Sequence, residues 1–257
     1  MKHIQKRFFL EEDEKSLLQR SDKFEILKID KDFDNQMLNN RKQTLVFTVT
    51  DTGKSVGGFV QKIEGRNYVV PIPDPTLVYF NNAQGYVAKI IEMKKKLLTK
   101  LDFSQELSES AINEIYHFYG LTSGFVIFLF TSIESFINQI VPDDFTFTKK
   151  LTKRTELYNK LQIHELDFTT KITEVLSQAK GKSFFTQSTP SNGRIWNLKD
   201  FRNEIIHTKP DESPLKYEKL IKKSLNFGYG ETLDAVAKFM NFYKEDYILE
   251  CKCGLPH

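Results

Sequence analysis

The sequence predicts a mainly α-helical protein with a small β-containing segment at its N-terminal side. Three observations carry this. The first third alternates short β-branched and aromatic runs with turn residues. Pro71, Pro73 and Pro75 then interrupt the chain. Beyond them, apolar residues recur at helical spacing almost to the end. The boundary falls near residue 76, which gives a β-containing segment over 1–76 and a helical bundle over 77–257.

In the first segment, residues 24–29, 44–50, 58–63 and 67–72 read as strands. Asp51-Thr52-Gly53, Gly57-Gly58 and Glu64-Gly65-Arg66-Asn67 read as the turns between them, which implies a small antiparallel sheet. In the second segment, residues 83–100 are rich in helix formers. A long periodic helix follows over 104–141, with Ser104 or Ser108 as its cap and Pro142 as its stop. Gly120 and Gly124 within it are sites of kinking or close packing. Residues 145–161 and 167–179 read as two further helices, and 181–193 as a loop. The remaining helices are expected over 195–208, 213–225 and 231–247.

Composition bounds the function classes. The chain has 257 residues, 40% hydrophobic and 28% charged, so it can bury a core. Most of its 22 phenylalanines belong inside. A net charge of +3 decides little, but Lys94-Lys95-Lys96, Lys149-Lys150 with Lys153-Arg154, and Lys219 with Lys222-Lys223 are local basic clusters. Each reads as a solvated helix face or as a surface that attracts phosphate. Cys251 and Cys253 are too close in sequence to pair without strain, and with His257 they form only a partial metal set. The lack of a disulfide framework and of an apolar leader points to a reducing cytoplasm. The apolar run 121–133 is about 13 residues long, shorter than the roughly 20 a bilayer requires, so it reads as a buried helix and not a membrane span. Asp51-Thr52-Gly53-Lys54-Ser55 lacks the upstream glycine of a phosphate loop.

The chemistry concentrates in residues 196–207. At about 100° per residue, Leu198, Phe201 and Ile205 form an apolar stripe committed to the core. Asn203 and His207 lie four apart on the opposite face, with Trp196 and Asp200 projecting near them. A Trp beside Asn and His on an outward face implies a second partner, a protomer or a domain. Histidine both donates and accepts protons near neutral pH. Arginine is a permanent planar cation suited to phosphate. RNA brings its own nucleophile, the 2′-OH, so Arg202 and His207 suffice in principle to cut it without a metal. The plainer reading is a cation placed at a helix C-terminus by the dipole.

The segment Phe201-Arg202-Asn203-Glu204-Ile205-Ile206-His207, followed by Thr208-Lys209-Pro210, resembles the signature of the HEPN superfamily. A second segment, Phe130-Thr131-Ser132-Ile133-Glu134-Ser135-Phe136-Ile137-Asn138, resembles that family's early apolar helix with its Glu and following Asn. The resemblance spans roughly residues 105–247. It implies a HEPN-like helical bundle that forms a homodimer. It also implies a metal-independent endoribonuclease without a cofactor, of a toxin or anti-phage defence type, with a possible antitoxin or defence-system partner. By the same resemblance, His207 transfers protons, Arg202 stabilises phosphate charge, Asn203 orients the site and Glu134 or Asn138 positions Arg202. Asn138, Trp196, Lys199 and Asp200 are the candidate supporting or substrate-binding residues. The alternative is a non-catalytic module that binds nucleic acid, nucleotide or protein.

Overall fold

A computed structural model describes residues 3–8, 25–29, 44–49, 55–101, 108–207, 215 and 217–251. The protein is mainly helical. It divides into two compact units, residues 6–77 and residues 78–257 joined by residues 1–5.

The smaller unit is a sheet in the order β1 (Glu25–Ile29), β2 (Thr44–Val49), β3 (Ser55–Ile63), β4 (Arg66–Pro71). The sheet is mixed, contrary to the antiparallel expectation, because β1 pairs parallel to β2. β2–β3 and β3–β4 are antiparallel. The tight turn between β3 and β4 uses Glu64 and Gly65 at φ 51° and 83°, the left-handed geometry that matches strand twist in a two-residue hairpin. Gly57-Gly58 is not a turn but lies inside β3. A side chain at Gly58 would meet the Val70 carbonyl oxygen at 2.6 Å, so close backbone approach fixes glycine there.

The larger unit begins its helices with α1 (Pro75–Lys100), longer at its start than the composition around Gly85 suggests. Asp74 Oδ1 accepts the Thr76 N–H at 2.9 Å and Pro75 occupies the first turn, a favoured helix opening. α2 (Glu109–Ile140) is capped by Ser108 and stops before Pro142. The alternative start at Ser104 lies outside the described residues. Gly124 permits close packing of α1: a side chain there would touch the Tyr86 ring at 3.2 Å.

Residues 145–161 are not a helix. They form the hairpin β5 (Phe147–Lys150) and β6 (Thr155–Tyr158), followed by the short α3 (Lys160–Glu165). α4 runs over 168–180, with a π-helical middle at Lys171–Val175. α5 (Pro190–Ile206) starts earlier than expected, because Thr189 caps it and Pro190 fills its first position. α6 (Glu218–Asn226) and α7 (Tyr229–Tyr243) complete the unit. Asp167 caps α4, and the Asn159 capping box opens α3.

The core forms where α2, α5 and α7 meet. Phe118, Phe125, Leu129, Ile133 and Phe136 of α2 are fully buried, as are Ile195, Leu198 and Phe201 of α5 and Val236, Phe239 and Met240 of α7. Each such side chain contributes about 1.5–3 kcal/mol by leaving water. Among the described residues, α2 alone is long and apolar enough to cross a membrane, and half of its most apolar window is buried inside the protein. That burial makes it the central helix of the bundle.

Candidate functional site

α5 carries the candidate site, and α2 supplies its floor. Neighbouring rings define how the two helices run. Trp196 packs on Phe168 at 6.4 Å, and Phe168 on Phe130 at 4.6 Å. Further along α5, Phe201 packs on Phe227 at 5.1 Å, and Phe227 on Phe125 at 6.4 Å. Further still, Glu204 adds to the effect of burial in raising the Tyr119 phenol. Rising numbers on α5 therefore meet falling numbers on α2, so the helices are antiparallel.

Arg202 is half-buried, with its guanidinium carbon 4.9 Å from the centre of the Phe130 ring. The contact follows from helix geometry, since a long side chain leans toward the N-terminus of its own helix. Arg202 Nη1 also donates to Asn203 Oδ1 at 3.1 Å. Among the described residues no carboxylate lies within ion-pair distance of this guanidinium. Its charge is held by a ring face and a neutral amide, an arrangement that leaves it available to an anion.

His207 ends α5. Its backbone N–H closes the last turn on the Asn203 carbonyl at 2.9 Å, and its own backbone, at φ −104° and ψ 52°, has left the helix. The imidazole is exposed. Thr208, Lys209 and Pro210 lie outside the described residues. Asn203 is thus the link between the two: its side-chain oxygen accepts a hydrogen bond from Arg202 and its backbone carbonyl accepts one from the His207 N–H.

Glu134 is half-buried one turn beyond Phe130 on α2, so it shares the face on which Arg202 rests. Asn138 is one turn further, and its carbonyl accepts from Lys160 Nζ at 2.9 Å. Because the helices are antiparallel, both lie toward the N-terminal half of α5. A single chain brings Glu134 to the Arg202 side and brings neither Glu134 nor Asn138 to His207.

The outward face predicted for Trp196 is corrected. Trp196 is half-buried against Phe168 and against Phe185 at 5.1 Å, so its own chain covers it and no second partner is required there. The early start of α5 explains this, because residues 184–185 double back over its first turns where a free loop was expected. Lys199 Nζ lies 5.6 Å from the Trp196 ring centre and closes that cluster from outside. Asp200 is exposed and makes no ion pair among the described residues.

No family model matches this chain, and comparisons with curated proteins and with solved structures give no match either. The site is therefore read from its own geometry. Phe130 emerges as its floor, a role that spacing alone does not reveal, because an apolar helix position reads only as core. Glu204 turns away to pair with Lys223 at 2.8 Å, and Lys223 also lies 5.3 Å from the Phe201 ring centre. That pair ties α6 to α5 between Arg202 and His207. Among the described residues there is no His, Cys, Asp and Glu group able to hold a metal ion. Cys253 and His257 of the partial set lie outside them.

Proposed function

We propose that the protein is a metal-independent endoribonuclease, acting in the cytoplasm in a toxin or anti-phage defence role. One observation supports this most: Arg202 is a half-buried cation with no carboxylate partner among the described residues, five residues from an exposed His207 on the same helix end. The HEPN resemblance of the same residues supports it independently. In this reading the Arg202 guanidinium holds the scissile phosphate. The 2′-OH attacks phosphorus, the P–O5′ bond breaks, and the products are a 2′,3′-cyclic phosphate and a 5′-hydroxyl. His207 takes the 2′-OH proton or supplies one to the departing oxygen. Asn203 keeps the two side chains in register. Within one chain the Arg202 and His207 side chains make no hydrogen bond to each other, and a two-fold homodimer that sets two such helix ends together would complete the cleft.

The test is labelled RNA incubated with purified protein in EDTA. Wild type should leave cyclic-phosphate ends, and His207→Ala and Arg202→Ala should not. RNA bound but uncut by the wild type would favour the non-catalytic binding module.

A further inference from the structure

Four lysines gather where the C-terminal ends of α2, α4 and α7 come together. Lys180 is the last residue of α4, and Lys182 follows the left-handed Gly181. Lys182 Nζ sits 4.8 Å from the centre of the Phe242 ring near the end of α7. The Phe184 N–H donates to the Tyr243 hydroxyl at 3.1 Å, which fixes the lysine-bearing loop against α7. Lys244, the cap residue of α7, places its Nζ 4.7 Å from the Tyr247 ring centre. The Tyr247 hydroxyl reaches Gln139 Oε1 at 3.3 Å, on the last turn of α2. Beside Gln139, Lys160 Nζ donates to the Asn138 and Val141 carbonyls. The chain of contacts thus draws the ends of α2, α4 and α7 and the start of α3 into one surface.

Local structure accounts for only part of this charge. Each helix C-terminus carries about half a negative charge, so three ends offset fewer than two of the four ammonium groups. Among the described residues the single carboxylate within ion-pair distance of the four is the exposed Asp143, 3.5 Å from Lys160. Three of the ammoniums are seated on uncharged partners, two on rings and one on carbonyls. Burial, together with the charges of Lys244, Lys182 and Lys160, holds the Lys180 ammonium below its ordinary range. Among the described residues no carboxylate lies within ion-pair distance of Lys180. Preorganised cations of which, among the described residues, only Lys160 has a carboxylate in reach are what a polyanion needs: each phosphate bound relieves their repulsion and releases counterions.

We propose that Lys160, Lys180, Lys182 and Lys244 form a binding site for the phosphate backbone of RNA, separate from the Arg202–His207 site. The choice of RNA rests on the nuclease reading above. Tyr119, near the His207 end, and Gln139, near the lysines, are about 30 Å apart along α2. The two sites therefore hold different stretches of one strand, and this one gives affinity without sequence choice.

The experiment is anisotropy of a fluorescein-labelled single-stranded RNA titrated with full-length His207→Ala protein at several salt concentrations. Changing Lys180 and Lys182 together to Gln should weaken binding at least tenfold at low salt. It should also flatten the slope of log affinity against log salt by about 1.4, roughly 0.7 for each lost phosphate contact. The same double change at Lys219 and Lys222, in a different basic cluster, serves as the control and should do neither. If both pairs reduce affinity equally, or neither does, the site is overturned. If a circular dichroism melt shows the first pair unfolding early, Lys180→Gln alone should still flatten the slope by about 0.7. Cleavage by wild type without any effect of these lysines removes this site alone. Lysine-dependent binding without cleavage removes the nuclease reading alone.

Discussion

The two ends of α5 face different problems with similar residues. At its N-terminal end, Thr189 caps the helix and Asn192 is buried under it. There Trp196 is enclosed by Phe168 and Phe185. At its C-terminal end, Arg202 lies on a ring with no counter-ion among the described residues, and His207 is exposed as the helix stops. The first end is closed by contacts within the chain, and its residues serve stability. The second end keeps a cation and an imidazole that folding does not consume. A stripe that looks continuous on a helical wheel is thus two regions with different surroundings.

The sharpest way to break this division is at the open end. His207→Ala should lower RNA cleavage by about 10²–10⁴-fold, the usual contribution of a positioned acid–base group. Arg202→Ala should lower it by about 10²–10³-fold, and Arg202→Lys should not restore it, because an ammonium cannot present the planar fork. Urea denaturation should show the His207 variant within about 0.5 kcal/mol of wild type, as expected for an exposed site. A His207→Ala protein that cuts RNA at the wild-type rate would place no chemistry at this end.

The closed end predicts the reverse pattern. Trp196→Ala should cost about 2–4 kcal/mol by stripping the aromatic cluster between α4 and α5, read as an earlier urea midpoint. Size-exclusion chromatography should show the same oligomeric state as wild type. Dissociation of an oligomer with unchanged stability would restore the outward, partner-seeking Trp196 in place of one packed on Phe168 and Phe185.

How much of this was legible beforehand follows the same line. The Leu198 and Phe201 stripe, the stop of α2 before Pro142 and the mainly helical class were readable, because periodicity and proline act locally. The hairpin at 147–158 was not, since the lysines and leucines around it read as helical. Its signal was the β-branched and aromatic alternation of Phe147-Thr148 and Thr155-Glu156-Leu157-Tyr158. The true start of α5 was also present in Thr189-Pro190, a cap followed by a first-turn proline, but the surrounding Ser, Thr and Gly outweighed it. The parallel β1–β2 pairing and the Phe130 seat under Arg202 depend on partners distant in sequence, which no local pattern encodes. Thr189→Ala tests the cap directly: losing the acceptor for the Asn192 N–H, at 3.2 Å, should cost about 1 kcal/mol in urea, with cleavage unchanged.

The smallest expected effect lies at the start of α4, where Asp167 precedes the Phe168 that covers Trp196. The Thr170 hydroxyl and backbone N–H, at 2.6 and 3.0 Å, hold the Asp167 carboxyl below its ordinary range. A carboxyl that titrates lower folded than unfolded gives its full stabilisation above the unfolded value, about pH 4. That contribution fades as pH falls and is gone below the folded value. Asp167→Asn keeps a capping acceptor and removes only the charge. The melting temperature of wild type should therefore exceed that of the variant slightly at pH 7, and the gap should close as pH drops below about 4. A gap that persists unchanged to low pH would mean that the carboxylate charge does not anchor α4. The closed end of α5 would then rest on its aromatic packing and its Thr189 cap.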